Sequence, residues 1–212
     1  YRSARDTLLA AEKELRLRTE EVAALRRTLP QGGAPGEDYA FIDCASDQAV
    51  KLSELFADGK NSLAIYSLMF APGDDAPCPM CTSLLDGLDG QAGHINDRMN
   101  FAVAAKASTM ELNDWAQQRG WNNLHLISSG GNSYNVDYFA EDEDGNQWSM
   151  MNVFVKDAGA AVTHSWGSEL FLSPPEDGLH NRHVDQLWPL WNLFDLTPEG
   201  RGADWYPGLN YT

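Results

Sequence analysis

Two cysteines separated by two residues, placed where a core strand gives way to a helix, constrain this chain more than any other feature. Leu63-Ala64-Ile65-Tyr66-Ser67-Leu68-Met69-Phe70 is a mostly apolar run of core-strand length. Pro72, Gly73, Asp74 and Asp75 then supply a turn, and Ala76-Pro77-Cys78-Pro79-Met80-Cys81 follows. Pro79 fixes the geometry. Its ring disfavours a helical conformation at Cys78, yet proline suits the first position of a helix. The spacing therefore predicts Cys78 as N-cap and Cys81 on the first turn. Unpaired N–H groups and the positive end of the helix dipole favour a thiolate there.

The rest of the chain is organised around that turn. Arg2 to about Thr28 has no Gly or Pro and is rich in Ala, Glu, Leu and Arg, which predicts one long helix. Leu8, Leu15, Val22 and Leu29 recur on a heptad spacing that Arg18 interrupts on the intermediate stripe. The helix is expected to stop at Pro30, making residues 1–30 an N-terminal arm that offers a surface for a homodimer. Gln31 to Gly36 is a linker by composition. Residues 37–179 are expected to form the main domain. Strands are predicted at Tyr39–Ile42, Leu63–Phe70, Asn100–Ala105 and Leu124–Ile127. They alternate with helices at Lys51–Phe56, after the cysteine turn, and at Thr109–Arg119. Alternation of this kind argues for a layered α/β domain with parallel strands. Gln147–Val155 and Ala160–Trp166 flank a Lys156–Gly159 turn and read as an antiparallel hairpin. Glu141-Asp142-Glu143-Asp144-Gly145 reads as a solvated acidic turn. Residues 180–212, rich in Trp, Pro and Gly, are expected to form a cap, with helix from Val184 to Phe194 interrupted near Pro189.

Composition narrows the partners. The 212 residues carry a formal charge of −16, with a pI near 4.5. Such a chain lacks the basic face that nucleic acid or an anionic membrane requires. No apolar run is long enough to span a bilayer, and the charged first segment has no signal-peptide pattern. Three cysteines do not make a disulfide scaffold, and the expected compartment is the reducing cytoplasm.

Parallel strands, a CxxC opening a helix, then a hairpin is the thioredoxin-like order, and the chain more specifically resembles the family known as DUF899. The resemblance rests on Tyr1-Arg2-Ser3-Ala4-Arg5, Ala11–Leu15, Met69-Phe70, Cys78-Pro79-Met80-Cys81 and Asp86–Gly90. It continues through Arg119-Gly120-Trp121, Ser128-Ser129, His164-Ser165-Trp166 and Leu196–Arg201. It implies an α/β, thioredoxin-like fold of the peroxiredoxin group, with a long N-terminal helix, a β-hairpin and a C-terminal aromatic-rich extension. Thioredoxin-like proteins usually carry a cis-proline on the strand facing the cysteines. Here Trp148–Asn152 contains no proline, which weakens a general protein-disulfide reductase and leaves room beside the sulfurs.

Three functions are open at this point. Cys78 and Cys81 can cycle between dithiol and disulfide, Cys78 attacking a small or dedicated substrate and Cys81 resolving the mixed disulfide. Asp74 and Asp75 would oppose the thiolate, leaving the helix terminus as the main activator. Alternatively, by analogy with thioredoxin-like copper carriers, Cys78, Cys81 and His164 hold copper, or less readily zinc. The third reading is a non-catalytic binding module. Met69 and Met80 offer thioethers but are assigned to packing. His180 and His183 are spaced as a weak metal pair. Cys44 is expected to be buried, Gly130-Gly131 to be a turn without nucleotide-binding spacing, and Ser128, Ser129 and His125 to form no nucleophile arrangement.

Overall fold

Ala, Leu, Glu and Arg without a breaker carry α1 over Arg2–Arg27, with Arg26 and Arg27 in its last turn, where cations suit the dipole. No residue of α1 is buried, and Leu8, Leu15, Val22 and Leu25 stand exposed along it. The computed structural model describes residues 1–177, 179, 182, 185–202 and 205–211, and the chain divides into two units, Tyr1–Gly32 and Gly33–Thr212.

In the second unit the elements are β1 (Ala40–Asp43), β2 (Ala49–Lys51), β3 (Ser62–Ser67), α2 (Pro79–Asp89), α3 (Ala92–Arg98) and β4 (Asn100–Ala105). They continue with α4 (Thr109–Arg119), β5 (Leu126–Ser128), α5 (Tyr134–Asp137), β6 (Met150–Lys156), β7 (Val162–Gly167) and α6 (Pro189–Phe194). Among the described residues seven strands make one curled sheet in the order β2-β1-β5-β4-β3-β6-β7. β3, β4 and β5 run parallel, whereas β6 is antiparallel to β3 and β7 to β6. Parallel neighbours need crossovers, supplied here by α2–α3 and α4. This is the α/β, thioredoxin-like fold.

Period-2 alternation explains why the central strands read as continuous apolar runs. Leu63 and Ile65 of β3 join Ala102 and Ala104 of β4 on one face, with Phe41, Tyr134 and Phe154. Ala64 and Tyr66 join Phe101 and Val103 on the other, under Leu84, Leu85 and Leu88 of α2 and Leu112 and Trp115 of α4. Both faces are covered, so neither set of positions is free to be polar. Trp188 and Trp191 of the C-terminal segment are buried in the second of these clusters.

Some elements depart from expectation. Lys51–Phe56 does not form an α-helix: Ala49–Lys51 pairs with β1, and only a short 3₁₀ turn, Leu52–Glu54, follows. α3 and α5 were not anticipated; seven and four residues are too short to show helical periodicity. The N-cap of α4 is Ser108. Its hydroxyl accepts from Glu111 N–H at 3.3 Å while the Glu111 carboxylate accepts from Ser108 N–H at 2.7 Å. Gly120 ends that helix at φ 73°, a left-handed conformation glycine adopts freely. α6 begins at Pro189; the expected helix from Val184 falls partly outside the described residues.

Candidate active site

Tyr66, Cys78 and Cys81 meet at the C-terminal end of β3. The loop from β3 to α2 is held at several points. Cys78 N–H donates to Met69 C=O at 3.0 Å, Ala107 N–H to Phe70 C=O at 2.9 Å, and Gly73 N–H to the Glu111 carboxylate at 2.9 Å. Cys78 is the N-cap of α2 at ψ 126°, and Pro79 takes the first helical position, as its ring dictates. Cys78 is half-buried and Cys81 only 2% exposed; both are free thiols.

The two sulfurs differ sharply in acidity. The Cys81 thiol donates to Cys78, with the Cys81 and Met80 backbone N–H groups assisting, and together they bring Cys78 down to about 6 against the cost of burial. That same hydrogen bond, with burial and the charge on Cys78, pushes Cys81 well above the usual thiol range. The neighbouring thiol is thus the largest activating influence on Cys78, ahead of the helix-terminal amides expected to dominate. Asp74 accepts from Ala71 N–H at 2.9 Å within its own loop, and no aspartate figures among the influences on Cys78.

Tyr66 was not anticipated as a site residue. Its hydroxyl hydrogen-bonds Cys81 and Ser149, and burial raises it far above an ordinary phenol, so it remains a donor. A tyrosine within an aliphatic strand, on the face that α2 covers, was the available signal.

Beside the sulfurs lies a cavity of 520 Å³. Tyr66, Met69, Met80, Trp148, Trp188, Trp191 and Trp205 contribute to its walls. The C-terminal rings brace one another edge to face, Trp188 on Trp191 at 5.5 Å and Trp191 on Trp205 at 5.8 Å between centroids. Arg201, 8% exposed, lies over the Trp191 ring at 5.6 Å. It pairs with Asp195 at 2.6 Å and Asp185 at 2.5 Å, and Arg182 pairs with the same two carboxylates. The acidic turn is not merely solvated surface. Asp142 accepts from Trp148 Nε1 at 3.1 Å, fixing that indole at the cavity, and Glu141 pairs with Lys106 at 2.9 Å in a largely buried contact.

His164 does not join the cysteines. β7 pairs it with Phe154 of β6, and its ring packs on Phe154 and Tyr138 at 5.5 and 5.4 Å, on the sheet face opposite α2. Its Nε2 lies 3.0 Å from Asn152 Oδ1, and burial lowers its pKa. The three-ligand Cys78, Cys81 and His164 set is therefore not assembled, and no group of three metal-ligating side chains occurs among the described residues. Strand alternation gives the reason: the hairpin passes near the cysteines, but His164 sits on the wrong side of its strand. His180 and His183 lie outside the described residues.

The remaining candidates have structural partners. Cys44 is buried and pushed up to about 12 by burial and by Asp43 and Asp47. His125 Nε2 meets Asp43 at 2.9 Å, Ser128 donates to Ala107 C=O, and Ser129 to Asn135. A Cβ at Gly130 would come within 2.8 Å of Lys106 C=O, which accounts for a glycine at that turn.

The sequence as a whole now identifies the lineage. A family described as bacterial proteins of unknown function, DUF899, matches residues 1–211. The chain belongs to the DUF899 family. No curated protein matches it. Solved structures place the fold: peroxidoxin BcpB of Mycobacterium tuberculosis is similar with a TM-score of 0.51 at 13% identity, covering 76% of this chain and 94% of its own. A PrxQ cysteine variant from Xylella fastidiosa is similar at 0.49 and 9% identity, covering 75% and 93%. At its identity the first likeness concerns the fold alone, which is thioredoxin-like. Among the described residues no helix is long and apolar enough to cross a membrane.

Proposed function

We propose that the protein is a thiol–disulfide oxidoreductase in which Cys78 is the attacking thiolate and Cys81 the resolving thiol. One observation carries this reading: Cys78 is accessible and lowered to about 6, while Cys81, three residues on, is buried and held protonated by the same hydrogen bond. That asymmetry suits a two-step exchange. Cys78 attacks one sulfur of a substrate disulfide and the first substrate thiolate departs. Cys81 then gives up its proton, with Tyr66 donating to the developing thiolate, attacks the Cys78 sulfur and releases the second substrate thiol. The protein is left oxidised by two electrons, the substrate is left as two thiols, and a thiol or dithiol reductant returns the protein to its starting state.

The copper alternative has less to support it, since His164 faces away and two thiols alone do not make its ligand set. The binding-module reading has no use for the opposed acidities of Cys78 and Cys81. The decisive test is turnover of a small disulfide with dithiothreitol as reductant. Cys78→Ser is expected to abolish turnover. Cys81→Ser is expected to stall it at a mixed disulfide that mass spectrometry detects. Full activity in Cys78→Ser would overturn the reading.

A further inference from the structure

We infer that the cavity beside Cys78 selects a small, uncharged disulfide with an aromatic substituent, and disfavours disulfides that carry carboxylates. The inference rests on the dithiol reading above and adds the substrate class. A volume of 520 Å³ lies within the range of small-molecule pockets, and aromatic rings make up much of its wall. Edge-to-face indoles at Trp188, Trp191 and Trp205 offer an aromatic guest flat and edge-on surfaces. Polar groups argue in the same direction. Among the described residues the guanidinium of Arg201 is the cation at the wall, and Asp185 and Asp195 already neutralise it together with Arg182. Among the described residues an anionic guest would find no unpaired counter-charge there, on a chain whose formal charge is −16. Cys78 and Cys81 both line this space, and Cys78 is the more exposed of the two. Exchange proceeds by the balanced steps given above, the guest leaving as two thiols.

The test compares two disulfides whose leaving thiols are of similar basicity, dibenzyl disulfide and bis(2-hydroxyethyl) disulfide, with glutathione disulfide as the anionic member. Each rate is divided by that of free dithiothreitol with the same compound, which removes intrinsic reactivity. The corrected preference for the benzyl compound over the hydroxyethyl compound is expected to be at least about tenfold, as burial of one aromatic ring implies. Glutathione disulfide is expected to be slowest. In Trp205→Ala, which removes a partly exposed wall, the benzyl-to-hydroxyethyl ratio is expected to fall several-fold. A ratio taken within one variant is insensitive to partial loss of folded protein. Should that variant not fold, saturable quenching of wild-type tryptophan emission by the unreactive benzyl methyl sulfide replaces it. Equal corrected rates with Cys78-dependent turnover, or no saturable binding, would overturn the substrate assignment alone. Turnover that survives Cys78→Ser would overturn the dithiol reading beneath it.

Discussion

Alkylation of Cys78 follows its thiolate fraction, so the rate with iodoacetamide should rise with pH around a midpoint near 6, where an unperturbed thiol would rise near 9. Below that midpoint the sulfur is protonated and the rate falls. Replacing Cys81 by Ala removes the largest contributor, and the midpoint should move upward toward the ordinary thiol value. Tyr66→Phe keeps the ring and removes the hydroxyl that hydrogen-bonds Cys81. The first attack should be little changed, while the mixed disulfide should persist longer in a stopped-flow quench. Cys78 and Cys81 were legible in the sequence because Pro79 and a two-residue spacing leave little freedom. His164 was misplaced because residue type and chain order do not tell which side of a strand a side chain takes; a one-residue change of register reverses it. Tyr66 was hidden in plain view as one more residue of an apolar strand.

At the scale of elements, the start of α4 holds more than its own helix. Ser108 and Glu111 cap it reciprocally, and Glu111 also accepts from Gly73 in the loop that leads to Cys78. Ser108→Ala should cost about 1 kcal/mol in urea denaturation, the ordinary value of an N-cap. The C-terminal segment rests on a different device. Arg201, then Arg182, hold the Asp195 carboxyl at about 2, below its unfolded value near 4. A depressed carboxyl stabilises above its unfolded pKa, and the contribution drains away as pH falls from about 4 to about 2. Indole emission from the cap should therefore shift in that window, and Asp195→Asn should remove part of the acid step. Long elements with clear period, α1, β3, β4 and α4, were readable in advance; α3, α5 and the β2 edge were not. Their few residues pair or coil only because the neighbouring sheet and loops hold them.

For the whole molecule the balance of charge sets the solution behaviour. A formal charge of −16 over 212 residues places like charges within reach of one another across the surface. Raising salt from about 0.01 M to about 0.15 M shortens the screening length from about 30 to about 8 Å, so the melting temperature should rise with salt. A calorimetric scan at the two concentrations checks the sign. Thioredoxin-like order could be read from the sequence because strand, CxxC helix and hairpin occur in sequence. A tryptophan-rich cap could be read as well, but not the share of Trp148 in the cavity beneath it. The cavity draws Trp148, held by the acidic turn, to rings that lie some forty or more positions further along the chain.

Of the three sulfurs that a thiol reagent meets on the native protein, Cys44 is buried and Cys81 is sealed beneath the helix start. Only Cys78 is within reach, and it is also the one most ionised at neutral pH. To any electrophile the folded chain is a monothiol. A fluorescent label, a biotin tag or a covalent inhibitor would mark a single position without engineering, and a second modified cysteine would report that the fold had opened.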